Sequence, residues 1–286
     1  MMVSGWKRPL LLAGACWVAF AVLLVVAYWL PFARWADGWS IEGLIRLQSP
    51  ALDWLANRTA KLADPVPFAI ATVALTCVAL YRGRPRHAVA VLVLLVGASV
   101  TTQTLKVLVE HPRYHDFLGK AQLGPDAFPS GHATAAMSLA FAAVLVAPAA
   151  KRPLVALLGG VFALAVSESV MLLAWHFPSD VAGGFLVATA VALMTVAALR
   201  AAEARWPQRA GRDAARRVIG DIDLRRTGAV VGGFVLAAMV GLIVAAGERT
   251  LHFADRHTTA VVAVVVVAAM AAMLPVTVAA LGPRRS

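Results

Sequence analysis

Three short stretches of this sequence gather the residue types used in phosphoryl transfer. KVLVEHPRY, residues 106–114, holds Lys106 and Arg113. FPSGHAT, 128–134, sets Ser130, Gly131 and His132 at the head of an apolar run. SVMLLAWHFPSD, 169–180, closes another apolar run with Ser169, His176 and Asp180. Polar groups at the end of a hydrophobic run cost free energy unless they have partners. Two cations held together repel unless an anion joins them. Ser130 is placed to cap a helix, and Gly131 lets the backbone approach a ligand. The helix start behind them offers free N–H groups to a phosphate. Pro178 suits a first helical turn, so His176 lies just before a helix and Asp180 inside its first turn. A carboxylate there can fix the imidazole tautomer and leave the other nitrogen nucleophilic. The chemistry that uses all of these is attack of one histidine on phosphorus. The other histidine protonates the leaving oxygen, and the cations stabilise charge in transit.

Rival chemistries use fewer of these residues. A serine hydrolase built on Ser130 would find His132 only two residues away and give the cations no purpose. A zinc site drawn from His111, His115, His132 and His176 lacks a tight ligand motif and would sit beside Lys106 and Arg113, which repel a metal ion. The reading therefore expects no metal and no cofactor.

The elements that must position these residues are membrane helices. The chain has 286 residues, 60% hydrophobic and 14% charged, where a soluble domain carries about a quarter charged residues. A spanning helix takes about 20 apolar residues. Eight segments qualify: 10–30, 66–81, 88–109, 133–150, 154–175, 180–199, 228–247 and 259–281. They lack the period-two alternation of barrel strands, so the class is all-α, a polytopic transmembrane helix bundle. Residues 31–65, with Trp35, Trp39, Trp54 and several leucines at helical spacing, read as short amphipathic helices on the membrane surface. Cys16 and Cys77 lie in or next to apolar runs and imply no disulfide framework.

The net charge of +11 is not that of a nucleic-acid binder, because its distribution follows topology. With the N-terminus inside, the inside segments hold 17 of the 26 Lys and Arg residues. Positive charge marks the cytoplasmic side. Both termini are then cytoplasmic and the two histidines face the other side. The basic 200–227 segment reads as a topology determinant in contact with anionic lipid.

The three motifs resemble the type 2 phosphatidic acid phosphatase (PAP2) superfamily of integral-membrane lipid phosphatases, whose pattern is K-x6-R-P, then P-S-G-H, then S-R-x5-H-x3-D. Lys106 and Arg113 match the first; Pro129, Ser130, Gly131 and His132 the second; Ser169, His176 and Asp180 the third. The resemblance implies a six-helix catalytic core over residues 1–200; beyond it, charge reads 201–227 as a basic cytoplasmic segment, and the apolar runs in 228–286 read as two added transmembrane helices for packing or homo-oligomerisation. It implies that Lys106, Arg113, Ser130 and Gly131 bind phosphate, with Ser169 in support. His132 becomes the general acid, His176 the nucleophile that forms a phosphohistidine, and Asp180 its orienting partner. The implied substrate is a lipid phosphate in the bilayer, of the phosphatidic acid, phosphatidylglycerol phosphate, undecaprenyl diphosphate or lipid A type, at the periplasmic or extracellular face of a bacterial-type plasma membrane. Lipid phosphotransfer and non-catalytic lipid-phosphate binding or transport are the alternatives.

Two positions depart from the pattern. Tyr114 stands where the first motif has Pro, with Pro112 just before Arg113. Val170 stands where the third motif has a phosphate-binding Arg. An Arg at that position is expected to reach the pocket, and Lys120 and His115 are the candidate cations to take its place.

Overall fold

The computed structural model describes residues 5–119, 122–206 and 254–281. Every regular element among them is helical. The chain runs α1 (Lys7–Trp29), α2 (Pro31–Ile45), α3 (Pro50–Ala60), α4 (Pro65–Tyr81), α5 (Pro85–Leu108), α6 (Gly131–Val146), α7 (Arg152–Leu172), α8 (Pro178–Arg205) and α9 (Thr258–Leu281). Proline opens α2, α3, α4, α5 and α8. Its missing N–H costs nothing in a first turn, and its fixed φ suits a helix start. Ser49 caps α3 by accepting from the Leu52 N–H.

Among the described residues five helices, α1, α5, α7, α8 and α9, are long and apolar enough to cross a bilayer. A sixth crossing arises if α3 and α4, bent by 48° at the turn between them, count as one broken span. The all-α multi-pass class is therefore what the chain adopts. The expected segment 133–150 ends early, at Val146, and its helix is 16 residues long. The segment 180–199 runs on to Arg205, because Arg200 to Arg205 is mostly Ala, Glu and Arg, all strong helix formers. The expected span 228–247 and most of the basic 200–227 segment lie outside the described residues.

The short helix α6 is the centre of the bundle. Twelve of its 16 residues are buried, and α4, α5, α7, α8 and α9 all pack on it. Enclosed on all sides, it needs no lipid-facing stripe and no full spanning length. The last helix, α9, packs on α2, α6, α7 and α8, and Ala260, Val267 and Ala271 join the main hydrophobic cluster. Helix α2 turns Ser40, Ile41 and Leu44 inward and leaves Phe32, Trp35 and Trp39 exposed, as a surface helix does.

Chain direction sorts the polar residues to two ends. The start of α4, the end of α5 and the starts of α6 and α8 share one end. The start of α1, the α4–α5 turn, the start of α7 and the end of α8 share the other. Arg200 donates from Nη1 to the Gly5 carbonyl at 2.6 Å and ties α8 to the head of α1.

Candidate active site

The site forms where two helix starts meet. Ser130 caps α6 and accepts from the Ala133 N–H at 3.3 Å. Its own N–H donates to the Asp180 carbonyl at 2.9 Å, which locks the head of α6 to the head of α8. Gly184 makes the close approach possible, since a Cβ there would lie 2.6 Å from the Ser130 carbonyl oxygen. Thr134 secures the same junction, donating to the Ser130 carbonyl at 2.9 Å.

His132, in the first turn of α6, and His176, just before α8, face each other with ring centroids 6.2 Å apart. Trp175 flanks His132 at 5.6 Å. Each histidine has a carboxylate beside it. His132 Nε2 lies 3.1 Å from Asp64 Oδ1, and His176 Nδ1 lies 3.6 Å from Asp180 Oδ2. Lys106, in the last turn of α5, lies alongside: its Cε comes 3.9 Å from where a Gly131 Cβ would stand. Lys106 Nζ donates to the Asp126 carbonyl at 2.6 Å.

Arg113, the second expected phosphate ligand, meets two carboxylates. It is 4% exposed, packed between the rings of Phe177 and Tyr28 at 4.5 and 5.1 Å. Its Nη2 pairs with Asp180 Oδ1. Its Nη1 lies 3.2 Å from Asp37 Oδ2 and donates to Ser179 Oγ at 2.8 Å. Ser179 in turn donates from Oγ to Asp37 Oδ2 at 2.6 Å. The physical reason is that a buried guanidinium needs carboxylates around it, and the chain supplies two. Burial works against the Arg113 charge, but Asp180 and Asp37 outweigh it and hold the guanidinium above its usual range. Two acids share one cation, so one is left short. Burial pushes Asp37 up to about 6, with Arg113 pulling it down and Asp180 pushing it further up. Asp180 also accepts from the Phe177 N–H at 2.8 Å. Its two oxygens therefore link Arg113, the turn and His176.

The remaining expected residues fall as follows. Ser169 donates to the Ala165 carbonyl at 2.7 Å, a bond within its own helix. Val170 is fully buried in the main hydrophobic cluster, so an Arg there would lie in apolar packing rather than reach a pocket. His115 is buried beside Phe117 and Phe177, at 5.4 and 5.5 Å between ring centroids, on the Arg113 side. Lys120 lies outside the described residues. Sequence reading missed Asp37, Asp64 and Ser179. Asp64 carried a signal, an acid directly before a helix-opening Pro. Asp37 carried a weaker one, an acid on the inward side of an otherwise aromatic surface helix.

The PAP2 superfamily model matches residues 87–204. That stretch spans all three motifs. Residues 87–204 resemble the PAP2 superfamily. About two thirds of the chain is similar in fold to the crystal structure of a transmembrane PAP2-type phosphatidylglycerolphosphate phosphatase from Bacillus subtilis. The TM-score is 0.54 at 19% identity, covering 69% of this chain and 98% of that one. No curated protein matches the chain. Asp37 and Asp64 precede the PAP2 segment, so the N-terminal helices supply acids that the family model does not reach.

Proposed function

We propose that this PAP2 chain is a lipid phosphatase that works through a phosphohistidine without a metal ion. The observation that carries the reading is the facing pair of histidines, 6.2 Å apart, with a carboxylate beside each. Attack takes one imidazole nitrogen to about 3 Å from phosphorus, and proton transfer takes the other to about 3 Å from the leaving oxygen. Asp180 near Nδ1 of His176 favours the tautomer with the proton on that nitrogen. Nε2 of His176 is then free to attack phosphorus. His132 gives its proton to the leaving oxygen of the lipid alcohol. Burial holds His132 below the usual imidazole range, and Asp64 works against this, favouring the protonated ring that the step requires. Water, activated by the now neutral His132, hydrolyses the phosphohistidine and returns both histidines to their starting states.

Phosphate binding falls to Lys106 and to the N-terminus of α6 at Ser130 and Gly131. Arg113, as placed, acts through Asp180: it fixes the carboxylate that orients His176. It reaches a phosphate oxygen only by exchanging one of its two acids. The substrate is a phosphorylated membrane lipid. The site opens on the non-cytoplasmic face of a bacterial-type plasma membrane, with the arginine-rich end inside.

The test is turnover of a lipid-phosphate panel by purified protein in detergent with EDTA and no acceptor. Release of inorganic phosphate is expected, together with an acid-labile phosphoenzyme that His176→Ala abolishes. Phosphate release only on addition of a lipid or sugar acceptor would make the chain a transferase. A requirement for zinc would sink the mechanism.

A further inference from the structure

The end of the bundle opposite the histidines holds a second convergence of polar groups. After α4, Gly83 turns the chain with a φ of +66°, a conformation that favours glycine. Arg84 then becomes the N-cap of α5, and its N–H donates to the Ala79 carbonyl at 3.0 Å. His87 follows in the first turn of α5. Arg152 opens α7 beside it, and Arg82, Arg84 and Arg152 all act electrostatically on the His87 ring. The positive ends of two long helices add to these charges.

These groups are not solvated topology markers. A guanidinium that only marks a membrane side extends into water. Here Arg152 is 3% exposed and His87 is 7% exposed. Arg82 donates from Nη1 to the Val146 carbonyl at 2.8 Å. Arg84 Nη1 and His87 Nε2 are buried without a hydrogen-bond partner. Glu203 of α8 acts on Arg152. Burial and the neighbouring Arg82 hold the Arg84 guanidinium below its usual range. Buried donors and a surplus of positive charge cost free energy until an anion joins them.

We infer that Arg82, Arg84, His87 and Arg152 form an anion site at the α4–α5 turn and the head of α7, which takes a phosphoryl group. The group comes from an anionic phospholipid headgroup or from free phosphate. Arg84 Nη1 and the Nε2–H of His87 donate to its oxygens, and Arg152 and Arg82 supply charge. The site is separate from the histidine pair and stands whether or not the chain turns over lipid phosphates.

The test uses full-length protein in maltoside detergent carrying His176→Ala, so that no covalent phosphoenzyme forms. Thermal unfolding is followed against sodium phosphate, with sodium chloride at equal ionic strength as control. It is also followed against phosphatidylglycerol, with phosphatidylcholine as control. Phosphate or phosphatidylglycerol is expected to raise the midpoint. Adding Arg84→Gln should weaken that ligand about tenfold or more, the loss of one charge-assisted contact. Arg84→Lys, which keeps the charge and the fold but not the planar donors, should fall between. A response to phosphate identifies the free anion; a response to phosphatidylglycerol alone identifies the headgroup. No response to either ligand, or an unchanged response in both Arg84 variants, would overturn the inference. With His176 restored, Arg84→Gln should turn over like the unaltered protein, so failure of catalysis and failure of this site read out separately.

Discussion

Val170 sits fully buried in the last turn of α7, within the main hydrophobic cluster. Its carbonyl accepts from the Trp175 N–H at 2.9 Å, in the turn that leads to His176. Val170→Arg, which gives the residue of the PAP2 pattern, would put a charge among the apolar side chains of that cluster. An uncompensated buried charge costs about 3–5 kcal/mol. The thermal midpoint in detergent should fall sharply and turnover should not rise. Higher turnover at an unchanged midpoint would mean that the side chain finds a path to the pocket. Asp37 gives a second residue-scale prediction. Its pKa is raised to about 6, above the value of about 3.9 in an unfolded chain. Between these values the folded state holds a proton that the unfolded state has released, so this group's contribution to stability falls as pH rises from about 4 to about 6. Asp37→Asn carries no such proton. Its midpoint relative to the unaltered protein should therefore climb across that range, and a flat difference would refute the assignment.

At the scale of elements, the site depends on how closely the heads of α6 and α8 approach. The Ser130 N–H to Asp180 carbonyl bond joins them, and Gly184 leaves room for it. In Gly184→Ala the new methyl would meet backbone oxygen at 2.6 Å, and backbone cannot yield as a flexible side chain can. The helix heads must separate, carrying His132 away from His176. Overpacking of this kind costs about 1–3 kcal/mol, and a misplacement of about 1 Å can cost about 100-fold in rate. A large fall in kcat with a modest fall in the thermal midpoint is expected. Unchanged kcat would show that the histidine spacing does not depend on this contact.

Across the whole molecule, the two ends are chemically distinct. His132 and His176 gather at one end with Asp37, Asp64 and Asp180, and Arg82, Arg84, Arg86, Lys151, Arg152 and Arg200 lie at the other. Both free cysteines, Cys16 and Cys77, can be replaced by alanine as a background for labelling. Tyr114, 63% exposed at the histidine end, should react as Tyr114→Cys with an impermeant maleimide on intact cells. Ala204→Cys, at the arginine end, should react only after permeabilisation. The opposite pattern would reverse the orientation.

The sequence by itself determined the helical class, most helix boundaries and the identity of the motif residues. These follow from local causes: apolar run length, proline at helix starts, Ser130 as a cap and the His176-x3-Asp180 spacing at the head of α8. It also carried the family resemblance, because the motif spacings survive within the PAP2 segment. Tertiary structure decided which charges meet. Asp64 comes to His132 across 68 positions and Asp37 to Arg113 across 76, and no local pattern encodes a partner that distant. Because exposure is invisible in a sequence, the burial of Arg113 against two carboxylates was not legible either. Packing between Tyr28 and Phe177 removed it from water, and once it was buried, only carboxylates could balance its charge.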